Sequence, residues 1–301
     1  MSLAVNLGAL RLPNPILVAS GTFGYAREAA RMMDLSRLGG IVPKTVTVEP
    51  RAGNKPPRAV ETSAGLLNAI GLDNDGVDDF VEKKLPYLRT LGAPIIASIA
   101  AKRLEDCQIF AERLNEAEGI AAIELNVSCP NVSGGVDYGT NPALCEKMTA
   151  ELRKHLKLPF AVKLTPNATS VADVAKAAEA GGADFVSAIN TCYGLAIDWR
   201  KRRSRLGNGC GGLSGPAIKP IALRCVWQIA RAIKLPVIGI GGISSAEDVF
   251  DFLVAGASAV QIGSANFFRP TVAVDVLDEI PRIMEEEGVS DLSEIVGTLE
   301  M

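Results

Sequence analysis

Two stretches late in the chain, Gly239-Ile240-Gly241-Gly242-Ile243 and Gln261-Ile262-Gly263-Ser264-Ala265, decide the fold prediction. Each begins in an apolar run of strand length, passes through glycine and leads into a segment of helical periodicity. Glycines at such turns expose backbone N–H groups, which together with a helix N-terminus can bind a phosphate. In (β/α)8 barrels the loops after strands seven and eight are the usual phosphate site. The two stretches therefore predict the last two units of such a barrel.

The same alternation of strand and helix runs along the whole chain. Eight apolar runs, each followed by a helical segment or an insertion, favour a closed parallel sheet over the doubly wound open sheet. The predicted strands are residues 16–19, 40–42, 95–99, 122–126, 160–164, 185–189, 237–240 and 260–262. The predicted helices include residues 77–89, 104–116, 142–155, 171–180, 217–233, 246–255 and 271–287. We predict an α/β protein with a single (β/α)8 TIM barrel domain over residues 1–301.

Three segments lie outside this alternation. Residues 5–7 and 9–12, on either side of Gly8, predict a hairpin that plugs the bottom of the barrel. Residues 45–74 and 190–216 are too long to be simple loops, and insertions at the carboxyl ends of barrel strands build active sites. The basic run 199–205 lies in the second insertion. Its simplest interpretation is a solvated loop, and the alternative is a partner contact or an anion-facing lid.

The composition excludes several classes of function. A net charge of −3 over 301 residues argues against a nucleic-acid partner, which needs a positive surface. No apolar run approaches the roughly 18 residues of a membrane span, and the N-terminus lacks the pattern of a signal peptide. The six cysteines show no spacing typical of a zinc site or a disulfide framework, so we predict no metal site. We expect a cytoplasmic protein.

The stretch Glu124-Leu125-Asn126-Val127-Ser128-Cys129-Pro130-Asn131 carries the strongest chemical signal. It ends the fourth predicted strand and places two amides and a thiol within six residues. A cysteine with a pKa near 8.5 can act as a base or a nucleophile once deprotonated. Asparagine amides both donate and accept, which suits a ligand with alternating ring N–H and C=O groups. The only histidine, His155, falls late in a predicted helix, so we do not expect histidine to be the base.

Polar residues also follow other predicted strands. Lys44-Thr45 follows the second strand and Asn190-Thr191 the sixth, while Asn68-Ala69-Ile70-Gly71-Leu72 lies in the first insertion. Lys163 lies inside the fifth strand, where a lysine is costly to bury without a partner. Lysines at the mouth of a barrel can stabilise an anionic reduced flavin or hold a carboxylate. These positions predict a binding site for anions and polar rings at one face.

Together these segments resemble the class 1 dihydroorotate dehydrogenases along the whole chain. The resemblance also rests on the runs at 19–24, 43–47, 65–72 and 211–220. Cysteine at 129 is similar to class 1, whereas class 2 enzymes carry serine as the base. The runs Ser20-Gly21-Thr22-Phe23-Gly24 and 212–220 resemble the 1B subdivision. Those enzymes pair an FMN subunit with a subunit that carries FAD and an iron–sulfur cluster, and they pass electrons to NAD+.

The resemblance implies oxidation of dihydroorotate to orotate in pyrimidine biosynthesis, with FMN as cofactor. Cys129 would remove the C5 proton while the C6 hydride goes to flavin N5. The implied substrate residues are Lys44, Asn68, Ala69, Ile70, Gly71, Leu72, Asn126, Asn131, Asn190 and Thr191. The implied FMN residues are Ser20, Gly21, Lys44, Thr45, Ser98, Asn126, Lys163, Ile189, Gly215, Gly241, Gly242, Gly263 and Ser264, the last four around its phosphate. The partner subunit would form a heterotetramer with two copies of each chain.

Two positions depart from the family pattern, and other functions compete. Ser98 stands where the family has asparagine, and 206–211 is unusually rich in glycine and contains a cysteine. The nearest alternative is a flavin-dependent dehydrogenase of dihydrouracil or dihydrothymine, which has a similar Asn-x-Ser-Cys-Pro stretch. A class 1A enzyme using fumarate and a non-enzymatic phosphate-binding barrel are the further alternatives.

Overall fold

The computed structural model describes residues 2–128 and 138–301 and contains a barrel of eight parallel strands. Barrel strands 1 to 8 are Ile16–Val18, Gly40–Ile41, Ile96–Ile99, Ala122–Asn126, Phe160–Leu164, Phe185–Ala188, Val237–Ile240 and Ala259–Ile262. Their order around the barrel is 2-1-8-7-6-5-4-3. Parallel bridges from Ile41 to Ile95 and from Val46 to Ile99 join strands 2 and 3 and close the circle. The predicted (β/α)8 barrel is confirmed.

Helices follow the strands on the outside of the barrel. They are Gly76–Asp79, Leu85–Arg89, Glu105–Asn115, Pro142–His155, Val171–Ala180, Lys219–Ala230, Ala246–Val254, Ala265–Phe268 and Val272–Glu286. Short 3-10 turns occur at Ala29–Arg31, Leu35–Arg37, Pro216–Ile218 and Leu292–Glu294. Asn141, Ser170 and Ser245 cap three of the helices, each side chain accepting from a backbone N–H three residues later.

One predicted helix, residues 77–89, is interrupted in the structure. Between Gly76–Asp79 and Leu85–Arg89 the turn Phe80–Lys84 is π-helical. Leu85 donates its N–H to the carbonyl of Phe80, and Pro86, the next residue, has no N–H to offer to an α-helical ladder. The predicted helix 217–233 likewise begins as a 3-10 turn, and its α-helical part starts just before Pro220.

The predicted hairpin is confirmed as Val5–Leu7 paired with Leu10–Leu12. Leu7, Leu10 and Leu12 are buried in one cluster with apolar side chains from the barrel strands, including Ile96 and Phe185. This cluster fills the amino-terminal half of the barrel interior. A second and larger cluster lies between the strands and the outer helices.

The barrel interior changes from apolar to polar within two residues along the strands. Ala122, Ala161 and Phe185 belong to the apolar interior cluster. Two residues further along the same strands stand Glu124, Lys163 and Ser187, all buried. Because alternate residues of a strand share a face, these polar side chains form the next layer up. This layer is the floor of the cavity described below.

The two insertions pair with each other above the barrel. Ala59–Thr62 and Gly65–Asn68 from the first insertion join Cys192–Gly194 and Gly211–Ser214 from the second in a four-stranded antiparallel sheet. A hairpin of Ile197–Asp198 and Arg203–Ser204 extends from it and carries the basic run. Trp199 at its tip is 70% exposed, as expected of a solvated loop. None of the helices in the described ranges combines the length and apolarity that a bilayer crossing requires.

Candidate active site at the carboxyl end of the barrel

A cavity of about 780 Å³ opens at the carboxyl ends of the barrel strands, beneath the insertion sheet. It brings together nearly all the described residues that the sequence predicted for the site. Those lining it are Ser20, Gly21, Lys44, Thr45, Asn68, Ala69, Ile70, Gly71, Leu72, Asn126, Lys163, Ile189, Asn190, Thr191, Gly215, Gly241, Gly242, Gly263 and Ser264. The size lies within the range of small-molecule and cofactor sites.

Cys129 and Asn131 lie outside the described residues. Ser128, the residue before Cys129, lines the cavity and is held on both sides. Its N–H donates to Oδ1 of Asn126 at 3.1 Å, and its hydroxyl donates to the carbonyl of Lys163 at 2.9 Å. The chain therefore leaves strand 4 at a fixed point on the cavity wall.

One end of the cavity is built from the two glycine-rich strand ends. Gly241 and Gly242 have φ of 130° and 76°, a backbone region that favours glycine. A Cβ at Gly242 would lie 2.6 Å from Cβ of Lys219, so this glycine is required by the fold itself. A Cβ at Gly263 would meet no protein atom closer than 3.8 Å and would point into the cavity. The missing side chain at Gly263 thus leaves cavity space for a ligand. The missing side chain at Gly242 instead allows the close approach of Lys219, the first residue of the helix Lys219–Ala230.

Sequence reasoning missed two polar residues at this end, Ser244 and Arg269. The guanidinium of Arg269 donates to the carbonyl of Ser244 at 3.0 Å and pairs with Asp275 at 3.3 Å. Arg269 follows the short helix Ala265–Phe268, which periodicity alone did not reveal. An arginine beside two glycine turns adds positive charge where a phosphate would lie.

Lys163 on the cavity floor faces a buried carboxylate. Its ammonium nitrogen lies 3.6 Å from Oε1 of Glu124, and both side chains are almost fully buried. The other oxygen of Glu124 accepts from the hydroxyl of Ser187 at 2.9 Å and from Nε2 of Gln261 at 2.8 Å. The four residues come from strands 4, 5, 6 and 8, so the cluster spans the barrel interior. Sequence reasoning gave roles to Lys163 alone.

A row of hydroxyls lies on the side of the barrel formed by strands 1 to 3. Ser20 and Thr45 are 3.0 Å apart at their oxygens, and Thr45 and Ser98 are 2.9 Å apart. Ser98 is 1% exposed and does not line the cavity, in contrast to the other predicted cofactor residues. Because serine is shorter than asparagine, its hydroxyl reaches Thr45 and stops there. Ser98 thus contacts a residue that lines the cavity, Thr45, without lining the cavity itself.

Amides surround the other end of the cavity. Asn126 and Asn190 approach to 3.5 Å at their side chains, and Asn190 accepts the N–H of Thr191 at 2.8 Å. Asn68, on the insertion sheet, donates to the carbonyl of Gly212 at 3.3 Å. These side chains combine donors and acceptors around a space lined by Lys44. The arrangement suits a small polar ring that carries an anionic group.

Asn167 also lines the cavity and was missed. Its amide donates to Thr165 at 2.8 Å and to the carbonyl of Thr191 at 3.1 Å, and its oxygen accepts the N–H of Tyr193 at 3.0 Å. It therefore ties the start of the second insertion to the end of strand 5. A polar residue just beyond a predicted strand, in Thr165-Pro166-Asn167, is the signal that could have identified it.

Burial disfavours ionisation of four of the described cysteines. Burial raises the pKa of the Cys107 and Cys145 thiols to about 12 and that of Cys225 to about 11. Burial also raises the pKa of Cys192. Cys210 is exposed and lines the cavity. Within the described ranges no cluster of three or more His, Cys, Asp or Glu side chains could hold a metal ion.

Comparison with known proteins identifies relatives over nearly the whole chain. The profile of the family described as dihydroorotate dehydrogenase matches residues 2–284. The catalytic subunit of dihydroorotate dehydrogenase B (NAD(+)) from Geotalea uraniireducens is 47% identical over 298 residues, covering 99% of this chain and 98% of that protein. The subunits of the same name from Trichlorobacter lovleyi and Alkaliphilus metalliredigens are 47% and 48% identical over 300 residues, covering 99% of both chains in each case.

Proposed function

Since the chain belongs to the dihydroorotate dehydrogenase family, we propose that it oxidises dihydroorotate to orotate for pyrimidine biosynthesis and passes the electrons through a partner subunit to NAD+. One observation carries the proposal: the amides, the buried lysine and the glycine-rich strand ends line a single cavity. The alternative substrate, a dihydropyrimidine such as dihydrouracil, is not favoured, because relatives that match over the full length are named for dihydroorotate.

We assign FMN to this cavity as the cofactor. Gly263 and Gly21 support the fit, since a Cβ on either would meet no protein atom within 3.7 Å and would stand in cavity space. Gly241, Gly242, Gly263 and Ser264 would hold the phosphate, with Arg269 beside them. Ser20, Thr45, Lys163, Ile189 and Gly215 would surround the ring. When bound, FMN supplies a two-electron acceptor for the C6 hydride of the substrate.

The proposed substrate-binding residues hold the dihydroorotate ring in one position and orientation. Lys44 supplies the positive charge for the carboxylate of dihydroorotate, and the amides of Asn68, Asn126, Asn131 and Asn190 match the ring N–H and C=O groups. Thr191 and the backbone from Ala69 to Leu72 complete the wall. When the ring is held in one orientation, one of its two faces lies toward the base and the other toward the cofactor. This fixes which hydrogen points to the base and which points to the cofactor.

We assign the base to Cys129, which accepts the C5 proton as the C6 hydride leaves. The support is chemical: a thiolate is the strongest base the motif offers, and Ser128, the residue before Cys129, lines the cavity. Cys107, Cys145 and Cys225 are disfavoured because burial holds their pKa values near 11 to 12. Cys210 is the competing thiol, and its exposure leaves it without the enclosed surroundings that a base needs.

The electrons leave by a partner subunit, which we propose carries FAD and an iron–sulfur cluster in a two-plus-two heterotetramer. The relatives are named catalytic subunits, which supports a partner. The chain itself has its six cysteines far apart in sequence, unlike the clustered ligands of an iron–sulfur site. We treat residues 1–301 as one domain, because the main core draws side chains from Ile16 to Leu292. The cytoplasmic location stays a prediction.

The test is anaerobic addition of substrate to the purified chain reconstituted with FMN. Dihydroorotate should bleach the flavin absorbance near stoichiometrically, and dihydrouracil at the same concentration should leave it unchanged. Bleaching by dihydrouracil alone would reassign the substrate, and failure to retain FMN would refute the cofactor assignment.

A further inference from the structure

The buried carboxylate of Glu124 has no role in the chemistry assigned above. It is 1% exposed and belongs to the polar layer at the floor of the cavity, directly above an apolar layer of the barrel interior. Burying a carboxylate costs several kcal/mol of desolvation, and apolar residues fill such a position at lower cost. A charge at this place therefore needs an explanation in terms of what it does to its neighbours.

The two oxygens of Glu124 have different surroundings. Oε2 accepts hydrogen bonds from Ser187 and Gln261, which come from strands 6 and 8 and fix the plane of the carboxylate. Oε1 has no hydrogen-bond donor among the described residues and faces the ammonium of Lys163 at 3.6 Å. Because the neutral donors Ser187 and Gln261 hydrogen-bond to Oε2, the interaction of Oε1 is the ionic attraction to the ammonium of Lys163.

The distance of 3.6 Å decides how Glu124 acts. It is too long for a hydrogen bond but short enough for a strong ionic attraction in a buried site. The ammonium has three donors, and Oε1 of Glu124 at 3.6 Å accepts a hydrogen bond from none of them. Since Lys163 lines the cavity, its donors stay available to a ligand above.

We propose that Glu124 is a positioning residue for Lys163 that also sets the charge presented to the cofactor. Its fixed carboxylate holds the ammonium at the cavity floor through charge, and it offsets part of that positive charge. The ring of reduced FMN is anionic when N1 has lost its proton, whereas the oxidised ring is neutral. Glu124 therefore lowers the preference of the site for reduced over oxidised flavin. This inference rests on the proposed FMN site.

The experiment measures the midpoint potential of FMN bound to the full chain by anaerobic equilibration with reference dyes. Glu124→Gln keeps the shape and removes the charge, so the ratio of reduced to oxidised FMN affinity should rise about tenfold or more, an upward shift of about 30 mV for a two-electron couple. Ser187→Ala is the matched control: it removes a hydrogen bond to the same carboxylate and keeps both charges, so its shift should be smaller.

A second variant pair guards against a misfolded Glu124→Gln protein. Lys163→Gln leaves Glu124 unpaired and should lower the potential, and Lys163→Gln/Glu124→Gln should return it toward the wild-type value. Neutral pairs at buried positions are tolerated better than single buried charges, so the double variant should fold. A purely structural Glu124 would give no such return.

The outcomes separate this inference from the proposed function. If the wild-type chain retains no FMN, the cofactor assignment fails before any variant is compared. Suppose instead that the wild type retains FMN and is reduced by dihydroorotate, while Glu124→Gln has the wild-type potential and the double variant has the potential of Lys163→Gln. In that case only the role of Glu124 is overturned.

Discussion

Lys163 and Glu124 face each other inside the barrel, with the ammonium nitrogen 3.6 Å from a carboxylate oxygen at the floor of the cavity. The lysine comes from strand 5 and the glutamate from strand 4, and the strand register pairs Lys163 with Asn126, two residues beyond Glu124. The three polar side chains therefore follow one another along a single interior face. The charge of the lysine and the amide of Asn126 reach the same cavity from adjacent strands.

Replacing Lys163 by alanine should weaken FMN binding by about 10- to 100-fold, because a charged donor at the flavin ring is lost. Fluorescence titration of the apoprotein with FMN measures the effect. Lys176→Ala removes an exposed lysine from the next helix and serves as the control. Equal FMN affinity and turnover in Lys163→Ala and wild type would remove Lys163 from the cofactor site.

Cys129→Ser should retain FMN and orotate but slow flavin reduction by about 10²- to 10⁴-fold at neutral pH, since a hydroxyl is a far weaker base than a thiolate. In the wild type the rate should rise with pH toward the ordinary thiol range near 8.5. Stopped-flow absorbance of the half-reaction tests both. Cys210→Ser, which replaces an exposed thiol that lines the cavity, should reduce the rate much less. Unchanged reduction in Cys129→Ser would exclude it as the base.

Gly263→Ala should weaken FMN binding by about tenfold or more without lowering the thermal stability of the apoprotein. The added methyl group meets no protein atom closer than 3.8 Å and takes space in the cavity. Gly242→Ala is the contrasting variant, because its Cβ would collide with Lys219 and its φ is 76°. That variant should lower the melting temperature. The prediction is wrong if Gly263→Ala destabilises the apoprotein but binds FMN normally.

Asp248→Asn should lower the free energy of unfolding by about 1–3 kcal/mol at pH 7. Asp248 accepts from the N–H groups of Ser244 and Ser245 and pairs with Lys219. Burial pushes its pKa up, but Lys219 and Ser244 outweigh burial, so the pKa lies below the ordinary value. A carboxylate with a depressed pKa stabilises the fold above its unfolded-state pKa of about 3.9, and that stability is lost as pH falls through the folded-state pKa.

Urea unfolding of wild type and Asp248→Asn between pH 7 and pH 3 checks this prediction, and the difference between the two proteins should shrink at the acid end. Asp173 occupies the same position, three residues after a serine cap, but is exposed. Asp173→Asn should therefore lower the free energy of unfolding by less than Asp248→Asn does. A difference for Asp248→Asn that stays constant down to pH 3 would contradict the charge-based explanation.

The isolated chain should reduce artificial dyes with dihydroorotate as donor but reduce NAD+ almost not at all. The sequence has no convincing Gly-x-Gly-x-x-Gly turn for a second nucleotide, and FMN is the only redox centre proposed for it. Steady-state assays with and without the co-purified partner subunit measure the difference. Robust NAD+ reduction by the chain alone would refute the two-subunit arrangement.

Local patterns in the sequence predicted most of the barrel. Strands buried on both faces are continuous apolar runs, so those at Ala122–Asn126, Phe160–Leu164 and Val237–Ile240 were predicted to the residue. Helix starts at Pro142 and Val171 follow from cap residues that act within three positions. Cavity residues at strand ends, such as Lys163, Asn190 and Gly241, could be predicted because the carboxyl ends of barrel strands converge on one face, whereas Asn167 and Arg269 were missed.

Only the tertiary structure decided which distant segments meet. The insertion strand Gly65–Asn68 pairs with Gly211–Ser214, almost 150 residues later, and neither short strand has a periodic pattern that would reveal its partner. Ser98 lies behind Thr45, because reach depends on side-chain length within a particular layer of the barrel. Glu124 and Gln261 hydrogen-bond across the interior from 137 residues apart. Closure of the barrel brings strands 4 and 8 close enough for that contact. Closure depends on all eight strands together, so no single stretch of sequence predicts it.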